Sequence, residues 1–422
     1  MVTTTHSELM EVLLGAQDLI APVVAGHGRR VAMFSRMIAE VMDYTPQQLR
    51  HIDHAAKLHD IGCFALSIQE KNDLHQFDVL SPQKHCAVGY LLLGRSSLFG
   101  TLAPAVLHHH THYDRRTGNG KDGTPVPHEA FIIHLADRID ILTDDRFSIL
   151  QQRKAITEAI TDGKGTLFHP HVVEAFCEAA YRESFWLRGV HGDRRGMEKQ
   201  EDTRTLSREE LLDFTRMLTL AIDYKSRFTA THSQGVAATC AAMGTMAGLQ
   251  DDLTLIVAGH LHDLGKLIVP NEILEKKGPL NETERAIMNS HPFYTYSLLS
   301  EAAGLARIAM IAGMHQEKLN GKGYPFHPEP DAFPMASRVL AVCDVFTALA
   351  ENRPYRKGLP KNDVISIMRR MVSEGHLDPQ CFAYLTAHYE TLDELRRNAQ
   401  QQAEKEYRGF WNRTEAVMES IA

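Results

Sequence analysis

Apolar residues recur three and four positions apart along most of the chain, which is the spacing of one face of an α-helix. The pattern is clearest in the segments 31–41, 211–222 and 364–371, whereas the alternation typical of β-strands is scarce. Glycine and proline cluster between the periodic segments, at 118–123 and 321–330, where they predict turns. The chain is therefore predicted to be all-α.

A charged, glycine-containing stretch that is poor in apolar residues, 189–204, separates two groups of helical segments. We interpret this stretch as a linker, because Ser207 and Glu210 directly behind it have the spacing of a capping box at a helix start. The C-terminal segment is rich in charge and Gln, and we expect a solvated helix packed on the domain; the alternative is a partner-binding arm. The predicted organisation is two domains and a C-terminal helix, at 1–190, 205–390 and 391–422.

Composition supports a globular protein of two or three domains, with 44% hydrophobic and 23% charged residues in a chain of 422. The net charge of -8 argues against a nucleic-acid polymer or an anionic membrane as partner. No apolar run reaches the roughly 18 residues of a membrane span, and the N-terminus has no signal pattern. The six cysteines form no C-x-x-C pair. We expect a cytoplasmic protein.

Histidine is the exception in this composition, with 24 residues against 2 tryptophans, and many of the histidines fall into two matching series. The first series is His27, His59–Asp60, His85, His109–His110 and Asp137. The second series is His232, His262–Asp263, His291, His315 and Asp344. Successive gaps are 32, 25, 24 and 28 residues in the first series and 30, 28, 24 and 29 in the second. Five anchors at near-equal gaps predict two copies of one helical domain.

The second series offers six nitrogen and oxygen ligands and no thiolate. Imidazole with carboxylate suits Fe, Mn, Zn, Ni or Co, and six ligands exceed the four of one tetrahedral zinc. A two-metal centre accounts for the number, with Asp263 placed to bridge the ions. Two such ions clamp the attacking and leaving oxygens of a phosphoester during hydrolysis. The alternative is that these are ordinary core or surface histidines. It explains any single histidine better than it explains the whole spaced set.

Three further features accompany the second series. Lys266 lies one helical turn beyond the His-Asp pair, where a cation would hold a phosphate oxygen unless it is simply a solvated lysine. The Gly-rich loop 320–325 would present Tyr324 to a base or sugar, or is only a tight turn. Arg353 and Arg356 fit bidentate contacts to phosphate or guanine, the alternative being a surface pair at a helix end.

The second half resembles the HD-GYP family, a subgroup of the HD metal-dependent phosphohydrolases, over roughly residues 205–380. The matching motifs are H-S-x-x-V from His232, H-D-L-G-K from His262, H-P from His291, H-x-E from His315, G-x-G-Y-P from Gly321, S-R-V-L-A-V-x-D up to Asp344 and R-P-Y-R-K from Arg353. The resemblance implies an all-helical fold of HD type and a di- or trinuclear centre, often of iron or manganese. It also implies hydrolysis of cyclic di-GMP to pGpG, or of 3′,3′-cGAMP in some tandem members.

The function predicted from these observations is a metal-dependent phosphodiesterase that opens a cyclic dinucleotide, cyclic di-GMP or 3′,3′-cGAMP, through a metal-bound hydroxide. Asp263 and Lys266 are the predicted catalytic residues, and Lys266, Tyr324, Arg353 and Arg356 the predicted substrate contacts. The expected cofactors are two divalent ions, Fe or Mn ahead of Ni, Co or Mg. The alternatives are a non-catalytic metal- or nucleotide-binding scaffold, and an enzyme for another phosphoester. An oligomer is compatible with the sequence.

Four positions depart from the family pattern. Gln316 stands where the family has a second adjacent histidine, and a neutral amide is a poor metal ligand. Phe228 replaces a glutamate of trinuclear members, so we expect two ions and not three. Thr347 and Asn320 each replace an aspartate. These changes bear on rate, metal identity and substrate preference.

The first copy keeps a full ligand set but resembles a general HD domain. Cys63 replaces the lysine, Thr111 replaces the glutamate, and no G-Y-P loop follows Asp114. It could bind metal and hydrolyse a substrate itself, bind metal or nucleotide and regulate the second copy, or be a structural relic. We favour metal binding without catalysis, because buried polar groups cost stability unless they are paired.

Overall fold

The computed structural model describes residues 2–20, 25–66, 70, 76–79, 81–113, 125–192, 204–225, 231–352 and 357–421. This part of the chain contains helices and two isolated β-bridges but no β-strand, so the predicted all-α fold is confirmed. None of the described helices combines the length and apolar character that crossing a bilayer requires.

The helices of the first half are α1 His6–Ile20, α2 His27–Val41, α3 Pro46–Lys57, α4 Gln83–Leu93, α5 Ala103–His108, α6 His128–Ile141, α7 Ile149–Asp162, α8 Pro170–Ala180 and α9 Glu183–His191. Those of the second half are α10 Arg208–Lys225, α11 His232–Met246, α12 Asp252–Leu261, α13 Asn271–Leu274, α14 Glu282–Asn289, α15 His291–Ser300, α16 Ala306–Gly313, α17 Met335–Ala350, α18 Lys361–Ser373, α19 Pro379–Ala387 and α20 Tyr389–Ile421. Short 3₁₀ helices cover Ile61–Ala65, Gly100–Leu102, Leu264–Ile268, Ala303–Leu305 and Pro330–Ala332.

The chain divides into two compact units. The N-terminal unit comprises Ala16–Glu201 and Phe410–Ala422, and the C-terminal unit comprises Met1–Gly15 and Asp202–Gly409. The helices α1 and α20 each contribute residues to both units. This division differs at both termini from the domain bounds predicted from the sequence, and those bounds stay a prediction. The predicted capping box is present, since the Glu210 N–H donates to Ser207 Oγ and the Ser207 N–H to the Glu210 carboxylate.

Both units are built on the same framework of helices. In the C-terminal unit, α11 packs against α12 and α17, while α15 packs against α16 and the 3₁₀ helix Leu264–Ile268. In the N-terminal unit, α2 packs against α3 and α6, while α4 packs against α5 and the 3₁₀ helix Ile61–Ala65. The order of these pairings is the same, so the repeat in the sequence is a repeat of tertiary structure.

The close approach of each 3₁₀ helix to the following α-helix requires glycine. A Cβ atom on Gly265 would lie 2.0 Å from the carbonyl oxygen of His291, and one on Gly62 would lie 1.9 Å from that of His85. Real Cβ atoms do not approach a backbone oxygen so closely, so any side chain at these positions would push the helices apart. The glycine of each H-D-x-G motif thereby brings the aspartate close to the next histidine of the series.

Candidate metal centre

The six ligand candidates of the C-terminal unit meet in its interior although they come from separate helices. His232 begins α11, His262 and Asp263 follow α12, His291 begins α15, His315 follows α16 and Asp344 lies within α17. The four histidines and Asp263 are each at most 4% exposed. A buried charge or polar group requires partners, so these side chains must pair with one another or bind a further group.

Asp263 lies between two sets of imidazoles. Its Oδ1 atom is 3.4 Å from Nε2 of His291 and 3.8 Å from Nε2 of His315. Its Oδ2 atom is 3.4 Å from Nε2 of His262. Each carboxylate oxygen therefore faces different imidazoles, as in a carboxylate that bridges two cations.

Asp344 and His232 complete the side that Asp263 Oδ2 faces. Asp344 Oδ1 lies 3.0 Å from Nε2 of His232 and 4.0 Å from Nε2 of His262. The ligand atoms of His232, His262 and Asp344 all lie within 4.8 Å of one another, and so do those of His262, Asp263 and His315. His262 belongs to both groups, so two cations held here would be neighbours.

Hydrogen bonds prepare three of the imidazoles to bind a cation. The Nδ1–H groups of His262, His291 and His315 each donate to a backbone carbonyl three residues earlier, at 2.7–2.8 Å. This leaves Nε2 with the lone pair in the neutral ring, as in most metal-binding histidines. Nε2 of His291 and His315 face each other at 3.1 Å, a contact between two lone pairs that becomes favourable when a proton or a metal ion lies there. Nε2 of His262 makes no hydrogen bond within the described residues, so the donor set fits a divalent metal.

The electrostatics of the centre favour anionic carboxylates and affect His315 and His232 in opposite directions. Burial opposes ionisation of Asp263, but His262 and Lys266 outweigh it and hold the pKa of this carboxyl well below its usual range. Burial and repulsion from neighbouring imidazoles lower the pKa of His315 to about 3. Against the effect of burial, Glu351 and Asp344 raise the pKa of His232 to about 10. A positive charge is therefore favoured beside His232, either as a proton or as a metal ion.

A cavity of about 490 Å³ opens onto the centre, a volume within the range of small-molecule sites. Asp263, Lys266 and Asp344 are among its polar lining residues. Its apolar lining includes Leu274, Met288, Val345, Leu349 and Met371. Lys266 thus reaches the predicted site, where its Nζ atom lies 2.6 Å from Asp263 Oδ2 and its side chain is 22% exposed.

Two cationic or titratable residues of the cavity were missed by the sequence interpretation. Lys318 directly follows the H-x-E motif, and this adjacency was the signal that could have identified it. His376 lies in the turn after α18 and outside the repeated series, so its spacing carried no such signal. The cavity therefore has more polar groups than the motifs indicated.

Glu317, from the H-x-E motif, anchors the segment that follows the G-Y-P sequence. Its Oε1 atom accepts hydrogen bonds from the backbone N–H groups of Phe326 and His327, at 2.6 and 3.0 Å. Glu317 is 2% exposed, so these bonds are shielded from water. The predicted substrate contacts Arg353 and Arg356, like Phe228 and Asp114, lie outside the described residues.

Gln316 connects the predicted substrate contact Tyr324 to the metal centre. The Tyr324 hydroxyl donates to Gln316 Oε1 at 3.2 Å, and Gln316 Nε2 donates to Asp344 Oδ2 at 3.4 Å. Burial raises the pKa of Tyr324 to about 12, so the hydroxyl remains a donor at neutral pH. Gln316 lines the cavity, at the position where the HD-GYP pattern has a second histidine. The Tyr324 hydroxyl is directed at Gln316.

The first series forms a corresponding cluster in the N-terminal unit. Asp60 Oδ1 lies 3.5 Å from Nε2 of His85 and 3.7 Å from that of His109, while Asp60 Oδ2 lies 3.5 Å from Nε2 of His59 and 3.9 Å from that of His27. Asp137 Oδ1 is 3.3 Å from Nε2 of His27. The two oxygens of Asp60 therefore divide the imidazoles in the same way as those of Asp263. His110 has its ring centroid 5.1 Å from that of His85, but it belongs to none of the candidate ligand groups in the described residues.

Three features distinguish the N-terminal cluster. The buried Arg138 guanidinium lies 2.5 Å from Asp137 Oδ2, so the carboxylate that corresponds to Asp344 is paired with an arginine. The Cys86 thiol lies 3.7 Å from ring nitrogens of His85 and His109. The Asp60 side chain is 28% exposed against 2% for Asp263. The clusters therefore share a ligand plan but present different surroundings to a metal or substrate.

The sequence interpretation also missed one buried carboxylate beside the first histidine of each series. His27 Nδ1 lies 2.7 Å from Asp140, and His232 Nδ1 lies 3.1 Å from Glu351. Asp140 follows Asp137 by three residues and Glu351 follows Asp344 by seven, which are spacings of one helix face. That periodicity was the available signal, although it does not identify the partner.

Comparison with known proteins agrees with this architecture. A family model described as an HD domain matches residues 205–381, and another matches residues 24–142. A solved structure of a cyclic GMP-AMP-specific phosphodiesterase from Vibrio cholerae has the same fold, with a TM-score of 0.59 and 22% identity over 92% of this chain and 98% of that one. The predicted pair of HD-type helical domains is thus confirmed.

Sequence relatives identify the family. The chain is 31% identical to a 3′3′-cGAMP-specific phosphodiesterase of Vibrio cholerae over 403 residues, which are 92% of this chain and 90% of that protein. It is 34% identical over 176 residues to a cyclic di-GMP phosphodiesterase of Pseudomonas aeruginosa, 41% of each chain. With such similarity along almost its whole length, and with the H-D-L-G-K and G-Y-P motifs in its second half, the chain belongs to the HD-GYP family of metal-dependent HD-type phosphohydrolases.

Proposed function

We propose that the C-terminal unit is a metal-dependent phosphodiesterase that opens a cyclic dinucleotide, cyclic di-GMP or 3′,3′-cGAMP, to its linear form. The observation that carries the proposal is the position of Asp263, whose two oxygens face different imidazoles at a cavity of about 490 Å³. The relatives named for cGAMP and cyclic di-GMP hydrolysis supply the substrate class. The non-catalytic scaffold is less well supported. Among the described residues, Gln316 is the one place where a metal-ligand position of the family pattern has lost its usual residue.

The metal ligands in this proposal are His232, His262, Asp263, His291, His315 and Asp344, holding two divalent ions with iron or manganese preferred. When bound, such ions polarise the phosphodiester and acidify a water molecule. The Gln316 amide, 3.4 Å from Asp344, is a weaker ligand than the histidine of other members. We therefore expect one of the ions to be held less tightly than the other.

The protein's own residues would bind and orient the substrate. Lys266 would move its ammonium group from the Asp263 carboxylate to a phosphate oxygen, where it stabilises the negative charge that develops during hydrolysis. Lys318 lines the same cavity and adds a second cation for the other phosphate. Tyr324, Arg353 and Arg356 would hold the nucleotide, with Tyr324 acting from its contact with Gln316. The apolar wall suits the faces of the bases.

The proposal is tested with metal-free protein that is reloaded with Fe²⁺ without oxygen, or with Mn²⁺. The protein is then incubated separately with cyclic di-GMP, with 3′,3′-cGAMP and with a nucleoside monophosphate, and the products are separated by chromatography. We expect a linear dinucleotide from at least one cyclic compound. Metal-loaded protein that cleaves neither would favour the scaffold, and cleavage of the monophosphate alone would favour an enzyme for another phosphoester.

We also propose that the N-terminal unit binds metal without catalysing hydrolysis. The supporting observation is that Asp60 faces His85 and His109 with one oxygen and His59 and His27 with the other, a division that resembles that of Asp263, although no lysine follows it in the motif. A metal count per chain is expected to exceed about two in the wild type and to fall to about two in Asp60→Asn. A wild-type count of about two that Asp60→Asn leaves unchanged would contradict metal binding by this unit.

A further inference from the structure

The first histidine of each series differs from the other ligand candidates in what its Nδ1 atom contacts. His262, His291 and His315 donate from Nδ1 to backbone carbonyls, whereas His232 Nδ1 lies 3.1 and 3.2 Å from the two oxygens of Glu351. Glu351 is 3% exposed and is the residue directly after α17. A carboxylate on the far side of an imidazole fixes the ring orientation and makes Nε2 a stronger ligand.

The two units provide this carboxylate from different positions. In the N-terminal unit it is Asp140, three residues after Asp137, and its Oδ2 atom is 2.7 Å from His27 Nδ1. The corresponding residue in the C-terminal unit, three after Asp344, is Thr347, whose fully buried hydroxyl makes no hydrogen bond within the described residues. Threonine cannot provide the charge, so the carboxylate comes from one turn further along the helix.

The reach of Glu351 back to His232 follows from helix geometry. Glu351 lies four residues beyond Thr347, and its backbone N–H donates to the Thr347 carbonyl at 2.9 Å. Side chains on a helix point towards its N-terminus, and glutamate is one methylene longer than aspartate. The longer side chain at the later position therefore occupies the place that Asp140 has in the other unit.

Each carboxylate also has its own support. Arg30 holds Asp140 through Nε and Nη2, at 2.6 and 2.9 Å. In the C-terminal unit the support is Gln400 of α20, whose Nε2 donates to Glu351 Oε2 at 2.8 Å. Gln400 Oε1 in turn accepts a hydrogen bond from Arg396, which is 5% exposed. The orientation of Glu351 therefore depends on the C-terminal helix.

A glycine makes room for this contact. Gly235 lies one turn after His232 on α11, and a Cβ atom there would lie 3.1 Å from three side-chain atoms of Gln400. That distance is tighter than most Cβ contacts, so a larger residue would displace the Gln400 side chain. The sequence of α11 thus accommodates both the metal-ligand candidate and the residue that supports its carboxylate.

We propose that Glu351 and Gln400 are positioning residues of the metal centre, with Glu351 replacing the carboxylate that Thr347 lacks and Gln400 connecting the centre to the C-terminal helix. The inference rests on the proposed metal centre, but it concerns the affinity of that centre for metal rather than hydrolysis. A protein that binds metal but cleaves no cyclic dinucleotide would contradict the proposed function and leave this inference fully testable.

The test measures the affinity of metal-free protein for Mn²⁺, from the free Mn²⁺ signal in electron paramagnetic resonance. All variants carry Asp60→Asn, so that the N-terminal cluster does not contribute. We expect Glu351→Gln to weaken Mn²⁺ binding by about 10- to 100-fold and Gln400→Ala by about tenfold. The matched control is Gln401→Ala, an exposed neighbour on the same helix, which should bind as the parent protein does.

A rescue variant separates positioning from a general effect on folding. Adding Thr347→Asp to Glu351→Gln places a carboxylate at the position that Asp140 has in the other unit, and Mn²⁺ affinity should return to within about threefold of the parent. The thermal midpoint of each metal-free variant is recorded in parallel. The inference is overturned if Glu351→Gln binds Mn²⁺ as tightly as the parent, if Thr347→Asp restores the midpoint but not the affinity, or if the parent binds no Mn²⁺.

Discussion

Replacing Asp263 with alanine is expected to lower the rate of cyclic-dinucleotide hydrolysis by about 1,000-fold or more, which corresponds to roughly 4 kcal/mol in the activation barrier. The reason lies in the two oxygens of this carboxylate, one facing His291 and His315 and the other facing His262. Without the carboxylate, the two sets of imidazoles share no anion, and two neighbouring cations would lose their common ligand. Lys266 would also lose the partner that holds it at the cavity.

The measurement is steady-state hydrolysis of cyclic di-GMP and 3′,3′-cGAMP with Mn²⁺ in excess, together with a metal count for each protein. Asp60→Ala is the matched control, because Asp60 has the same position in the N-terminal cluster and its loss should leave hydrolysis largely intact. Retention of more than a tenth of the activity in Asp263→Ala would exclude this carboxylate from the catalytic centre. Loss of activity in Asp60→Ala alone would instead assign catalysis to the N-terminal unit.

Replacing Gly265 with alanine should destabilise the C-terminal unit by about 3 kcal/mol, at the upper end of overpacking effects. The added Cβ would lie 2.0 Å from the carbonyl oxygen of His291 and 2.8 Å from the backbone nitrogen of Thr295. Neither backbone atom can rotate away, so the 3₁₀ helix must separate from α15. The hydrogen bond from the Gly265 N–H to Thr295 Oγ1, now 2.9 Å long, would be strained as well.

Thermal unfolding of the metal-free protein measures this effect, and the metal count reports whether the centre survives. Gly278→Ala is the neutral control, since a Cβ there has no atom within 4 Å in the described residues. Gly62→Ala tests the same contact in the N-terminal unit, where the added Cβ would lie 1.9 Å from the His85 carbonyl. Equal midpoints for Gly265→Ala and Gly278→Ala would disprove the requirement for glycine.

The plan of the ligand clusters was predictable because it depends on local structure. Each ligand candidate lies at a helix end or on a helix face, and helix lengths are limited by apolar periodicity and by turn residues. The spacing between His262 and His315 therefore survives in the sequence as a repeat of that between His59 and His109. The choice of residue type also restricts the chemistry, since imidazole and carboxylate without thiolate select a narrow group of metals.

The contacts of Glu351 illustrate why the rest was not predictable. A buried glutamate seven residues after Asp344 lies on a suitable helix face, but Gln400 is 49 residues further along the chain. The distance between them in space depends on how α20 packs, and no periodicity in the sequence encodes that packing. The same holds for His376, which reaches the cavity from the turn after α18 and lies outside the repeated histidine series.

The sequence by itself determined the all-α class, the repeat of two helical domains and the identity of the ligand candidates, because these follow from periodicity, spacing and side-chain chemistry. The HD type of the domains was implied by the motifs that the second half shares with the HD-GYP family. Only the tertiary structure decided which oxygen of Asp263 faces which imidazole, which atoms of His262 and His315 remain for a cation, and that Gln400 donates a hydrogen bond to Glu351. Those features depend on distances of 3–4 Å between residues far apart in the chain, and such distances are set by helix packing rather than by local sequence.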